Sequence, residues 1–114
     1  MIEPSFMDSL KKARTYGLGE FLEIIGELSQ ESTKKGIIDR KHKELITLGI
    51  ALAKGCHRCI EIHTDAALKY GSTPEEVFEV MPIALLMDGA PALSQIPHLV
   101  AALEQVQECV AQAA

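Results

Sequence analysis

Residues 55–63 read GCHRCIEIH and place two thiols and an imidazole within nine positions. If Cys56 begins a helix, Cys59 lies one turn on and His63 one turn beyond that, so the three share one stripe of the helix surface. The exposed amides of a helix start favour thiolate, which is the nucleophilic and metal-binding form of cysteine. Cys59 and His63 are an i, i+4 pair, close enough for the imidazole to act as the base of that thiol, directly or through one water. Dithiol redox chemistry, metal binding and an inert pair are therefore all open to this stretch. A c-type haem is excluded because Ile60 follows Cys59, where attachment requires His. A thioredoxin-like motif requires a preceding strand, and no strand-like alternation precedes these residues. Zinc could take Cys56, Cys59 and His63, but no second C-x-x-C supplies a fourth ligand, and Cys109 could do so only if the last helix returns to the site.

The elements that must position these groups are helices. Apolar residues recur at helical spacing between clear breakers, which predicts five or six helices in an all-α domain spanning 1–114. The first runs from about Ser5 to Tyr16 and stops at Gly17. The second, roughly 19–34, carries Phe21, Leu22, Ile25 and Leu28 on one face and ends before Gly36. Asp39 is the N-cap of a third that runs to about Lys54. From Leu45 to Ala53 only Thr47 is polar, which predicts a buried central helix. Gly55 turns the chain into a fourth helix from Cys56 to Tyr70, stopped by Gly71. Thr73, Pro74 and Glu76 compose a capping box for a fifth. Pro82 is expected to kink or divide that helix, and Gly89-Ala90-Pro91 to end it. A last helix is expected from about Ala92 towards Ala111, with Pro97 a possible restart point.

Glu44 joins the thiol stretch through this hairpin. It shares its stripe with apolar Leu48 and Ala51, so its carboxylate is expected to be buried and in need of a partner. At about 1.5 Å per residue, Glu44 lies roughly 16 Å back from the Gly55 corner and His63 roughly 12 Å down the returning helix, within about one turn of each other. Glu44 can then orient His63 as the third member of a Cys-His-acid chain. The alternative is that Glu44 only pairs with a cation of the run Arg40 to Lys43, which otherwise reads as a solvated first turn.

The chain has 114 residues, of which 47% are apolar and only 4% aromatic, with no Trp, so the core is built from aliphatic residues. A formal charge of −5 argues against attraction to nucleic-acid phosphates. The first residues lack the order of a secretory signal, and no apolar stretch reaches the ~20 residues that span a bilayer, so a cytoplasmic protein without membrane association is expected. In a reducing compartment a C-x-x-C pair reads as catalytic or metal-binding before it reads as a staple.

The run from Asp39 to Leu103 resembles the carboxymuconolactone decarboxylase family, and within it the alkylhydroperoxidase D-like branch. The resemblance rests on E-x11-C-x-x-C-x3-H, met by Glu44, Cys56, Cys59 and His63, with softer support from T-P-E-E and M-D-G-A-P. It implies a thiol peroxidase in which Cys59 attacks a hydroperoxide, Cys56 resolves the product as a disulfide, and His63 and Glu44 relay the proton. It also implies an external dithiol reductant of lipoyl type, no cofactor or metal, and assembly as a hexamer or trimer. The family's peroxidase pattern has a His immediately before the second Cys, whereas this chain has Arg58 there and a His at position 57. A cofactor-free decarboxylase-like lyase, needing His63 and Glu44 but neither thiol, is the alternative within the family. A structural zinc or helical interaction module is the alternative outside it. The remaining candidates have plainer expectations: His42 and His57 solvent-facing, His98 packed or locally bonded, Cys109 a small buried hydrophobe, Met81 and Met87 core or interface fillers, and Asp88 a helix-end solvator.

Overall fold

The computed structural model describes residues 4–113, and every regular element among them is helical. The α-helices are α1 (Pro4–Ala13), α2 (Gly19–Thr33), α3 (Arg40–Lys54), α4 (His57–Lys69), α5 (Pro74–Asp88), the single-turn α6 (Ala90–Leu93) and α7 (Ile96–Ala113). Five of them have thirteen residues or more, in keeping with the all-α class read from the sequence. Residues 14–18 form a widened turn between α1 and α2 that Gly17 breaks with φ +101°.

Local chemistry sets the boundaries. Asp39 caps α3, its carboxylate accepting from the His42 N–H at 2.8 Å. At the other end Gly55 takes φ +66°, and the amides of Gly55 and Cys56 donate back to Leu52 and Ala51. This is the paired 5→2 and 6→1 closure of a Schellman motif, which needs a left-handed residue at that one position. Thr73 and Glu76 exchange side-chain bonds with each other's amides, completing the capping box of α5.

The core lies where α3, α4, α5 and α7 meet. Leu48 and Leu52 of α3, Ile60 and Ala67 of α4, Val77 and Ala84 of α5, Ala92 of α6, and Leu99 and Ala102 of α7 form one buried cluster. Leu48, Leu52, Ile60 and Leu99 are wholly buried, so truncating any of them to Ala removes about 2–5 kcal/mol.

Three expectations need correction. Pro82 does not divide α5, which runs unbroken past it. The ring is exposed, and the neighbouring Met81 and Ala84 anchor the opposite face in the core, which outweighs the hydrogen bond that proline forfeits. The final helix does not run unbroken from Ala92 but restarts where Pro97 allowed it to: α6 and α7 are separated at Ser94 and Gln95, and each has its proline in the first turn, where the missing N–H costs nothing. Finally, α3 is central but buried on one side only, with Ile46 and Ile50 about half exposed, and the α2 stripe is largely uncovered, with Phe21 and Leu28 exposed.

Candidate active site

The Gly55 turn makes Cys56 the N-cap of α4, in extended conformation with φ −86° and ψ 98°. Its Sγ accepts from the Cys59 N–H at 3.3 Å, a bond that draws the second cysteine's backbone toward the first sulfur. Their Cα atoms are 5.2 Å apart and the two sulfurs close as a disulfide. Both cysteines are half-buried, and Cys59 packs against the core cluster. The pair therefore closes within one helical turn, between the N-cap of α4 and the third residue of that helix.

The antiparallel path of α3 and α4 brings Glu44 to His63 directly. His63 Nδ1 lies 2.7 Å from Glu44 Oε1. Glu44 is 1% exposed and the imidazole 16%. A carboxylate only accepts, so Nδ1 carries the proton in this bond and Nε2 is left as the basic nitrogen. His63 stands one turn beyond Cys59 on the same stripe of α4. The structure therefore joins the four residues singled out in the sequence as two pairs, the sulfurs with each other and the imidazole with the carboxylate, with helical spacing alone relating Cys59 to His63.

The other carboxylate oxygen is also engaged. Arg40 Nε donates to Glu44 Oε2 at 2.8 Å, and the Arg40 guanidinium sits 4.1 Å from the centroid of the Tyr70 ring. Glu44 thus contacts His63 and pairs with a nearby cation at once, so it does not pair with a cation alone. The run Arg40 to Lys43 is correspondingly more than a solvated turn. Arg40 is partly buried in the site, and Lys41 Nζ reaches Glu76 of α5 at 2.8 Å. The i, i+4 spacing of Arg40 and Glu44 was the signal available for this contact. Tyr70, at the far end of α4, carried none.

His57 and His98 form the second feature that spacing could not reveal. His57 is exposed, as expected, but its ring stacks on His98 of α7 with centroids 3.7 Å apart and planes 25° from parallel. The stack lies beside Cys56 at the starts of α4 and α7. Arg58, between the two cysteines, pairs with Glu61 and lies over the Phe6 ring of α1 at 5.0 Å. Cys109 is half-buried on α7 and Asp88 exposed at the end of α5. Met81 is buried, and Met87 is exposed. Among the described residues, no group of three or more His, Cys, Asp or Glu side chains is placed to hold a metal ion. Nor is any helix among them long and apolar enough to cross a membrane.

Two surface carboxylates are displaced from their ordinary range. The Asp39 carboxyl is held low, chiefly by the His42 backbone N–H and then by the His42 ring. Glu76 is held low first by its bond to Lys41 and next by the Thr73 amide.

Comparison with known proteins identifies the family and the fold. The model of the Carboxymuconolactone decarboxylase family matches residues 19–108. The apo crystal structure of a protein of that family from Legionella pneumophila superposes with a TM-score of 0.81 at 33% identity, covering 90% of each chain. The alkyl hydroperoxide reductase AhpD of Corynebacterium kroppenstedtii is 28% identical over 85 residues, which are 75% of this chain and 49% of that protein. The AhpD of Mycobacteroides abscessus is 34% identical over 64 residues, 55% of this chain and 37% of the relative. The chain thus spans about half the length, or less, of these curated relatives.

Proposed function

The chain belongs to the carboxymuconolactone decarboxylase family, and within it we propose that it is a thiol-dependent oxidoreductase of the alkylhydroperoxidase type. The observation that carries this reading is a pair of sulfurs within bonding reach at a helix start, one turn from an imidazole whose other nitrogen is held by a buried carboxylate. A lyase that used only His63 and Glu44 would have no need of the pair.

In the proposed cycle, His63 Nε2 takes the proton of the Cys59 thiol. The Cys59 thiolate attacks one peroxide oxygen, the O–O bond breaks, and the departing alkoxide or hydroxide leaves as alcohol or water after receiving that proton. Cys59 is now a sulfenic acid, oxidised by two electrons. The Cys56 sulfur attacks it, forming the disulfide and releasing water. An external dithiol then exchanges with the disulfide, becomes oxidised itself and returns both cysteines to the reduced state. A lipoyl-type dithiol fits this step by resemblance. Glu44 keeps His63 in the Nδ1–H tautomer through the cycle and stabilises the imidazolium when it forms.

The protein is proposed to work as a homo-oligomer, a trimer or hexamer, in the cytoplasm. Support comes from two apolar surfaces that this chain alone leaves uncovered. One is the face of α2 with Phe21, Ile24 and Leu28. The other is the groove between α3 and α5 with Ile46, Ile50, Ile83 and Met87.

The test is hydroperoxide consumption driven by a dithiol. Cys59→Ser is expected to abolish it, while Cys56→Ser allows one turnover and then stalls at a sulfenic acid that a dimedone-type probe captures. Undiminished turnover by Cys59→Ser on the true substrate would reject the thiol mechanism and favour the lyase.

A further inference from the structure

Glu44 has a second partner whose consequence extends beyond packing. Its side chain is 1% exposed, so neither oxygen can rely on solvent, and each has a partner on the protein: Oε1 faces His63 Nδ1 at 2.7 Å and Oε2 accepts from Arg40 Nε at 2.8 Å. A buried carboxylate with one partner rotates or takes up a proton when that partner changes charge; one clamped at both oxygens does neither readily. Arg40 is itself seated, with its guanidinium 4.1 Å from the centre of the Tyr70 ring. The clamp therefore runs from Tyr70 at the end of α4, through Arg40 and Glu44 of α3, back to His63 in the middle of α4.

We propose that Arg40, seated on Tyr70, is a positioning residue for the His63 relay: it fixes the rotation of the Glu44 carboxylate and offsets part of the charge that the carboxylate presents to the imidazole. The inference rests on the relay role proposed above for His63 and Glu44. Arg40 touches neither sulfur, and it acts only through Glu44. From α3, Glu44 is the charged group facing His63, with Arg40 behind it. On α4 the neighbour one turn away is Cys59. The buried residues that α5 and α7 bring to this core, such as Val77, Leu99 and Ala102, are apolar. With the guanidinium in place, the imidazole shares one negative charge with a permanent cation. Without it, the full carboxylate charge falls on His63, and the pair takes up its proton at higher pH.

The experiment is an NMR titration of the imidazole signals in the intact protein, with His63 identified by the signal lost in His63→Asn. In Arg40→Gln the His63 midpoint is expected to rise by about one pH unit. Arg40→Lys, which keeps the charge, should restore most of the wild-type midpoint. Tyr70→Leu, which removes the seat, should shift it in the same direction as Arg40→Gln by a smaller amount. A purely structural arginine would lower the melting temperature in these variants without moving the midpoint, and an unmoved midpoint in Arg40→Gln would overturn the proposal. If Arg40→Gln does not fold, Tyr70→Leu decides by the same criterion. The titration uses no peroxide, so the two readings fail separately. A shifted midpoint in Arg40→Gln, together with a wild-type protein that does not consume hydroperoxide, overturns the peroxidase reading alone. Turnover with an unmoved midpoint overturns the role of Arg40 alone.

Discussion

The two oxygens of Glu44 point to different partners, one to an imidazole and one to a guanidinium, and the chemistry proposed for the thiols depends on the first of these bonds. Replacing Glu44 by Gln preserves shape but offers Nδ1 a neutral amide, which neither fixes the tautomer as firmly nor stabilises imidazolium. The rate of Cys59 oxidation by hydroperoxide is expected to fall by about 100-fold. Stopped-flow measurement of the first turnover checks this, and a rate within twofold of wild type would remove Glu44 from the mechanism. These four residues were legible in the sequence because helical geometry makes spacing equal to position: i, i+3 and i+7 along α4, and matched distances either side of Gly55. Arg40 was within reach of the same reasoning at i−4 from Glu44. The stack of His57 on His98 was not, because it joins two helix starts forty-one residues apart and depends on where α7 crosses α4.

At the scale of elements, α3 delivers Glu44 and therefore its first turn has to hold. Asp39 supplies that hold by accepting from both the backbone and the ring of His42 at 2.8 Å. Because its carboxyl is held below the ordinary value of 3.8, the folded state favours the ionised form. The resulting stabilisation is complete above the unfolded value and is lost as pH falls through the lower, folded one. Asp39→Asn keeps an oxygen for the cap but does not titrate. The difference in urea stability between wild type and Asp39→Asn is therefore expected to be constant near neutrality and to shrink on going from pH 5 to pH 3. A difference that stays constant across that range would contradict the argument. The caps at Asp39 and Thr73 and the turns at Gly17, Gly55 and Gly71 were legible, since each needs a particular residue type. Pro82 misled because its effect depends on which way the ring faces, and the exposed side of α5 tolerates it.

For the whole molecule, the helical class follows from composition, whereas the extent of burial does not. An apolar stripe predicts that something covers it. It does not say whether the cover is the same chain. Leu22 of α2 is half-buried while Phe21 and Leu28 are exposed, and Ile50 and Met87 stand open in the groove of α3 and α5. If second copies cover these faces, light scattering should give three or six times 12.4 kDa. Ile50→Glu or Phe21→Glu should then shift the protein towards the monomer. A monodisperse 12.4 kDa wild-type species would contradict assembly.

The most direct test of the central claim is a count of free thiols on denatured protein before and after one equivalent of hydroperoxide, with mass analysis of the peptide that carries Cys56 and Cys59. The account predicts the loss of two thiols as a Cys56–Cys59 disulfide, reversed by a dithiol, with Cys109 unchanged. Thiols that remain free after exposure to hydroperoxide would contradict it.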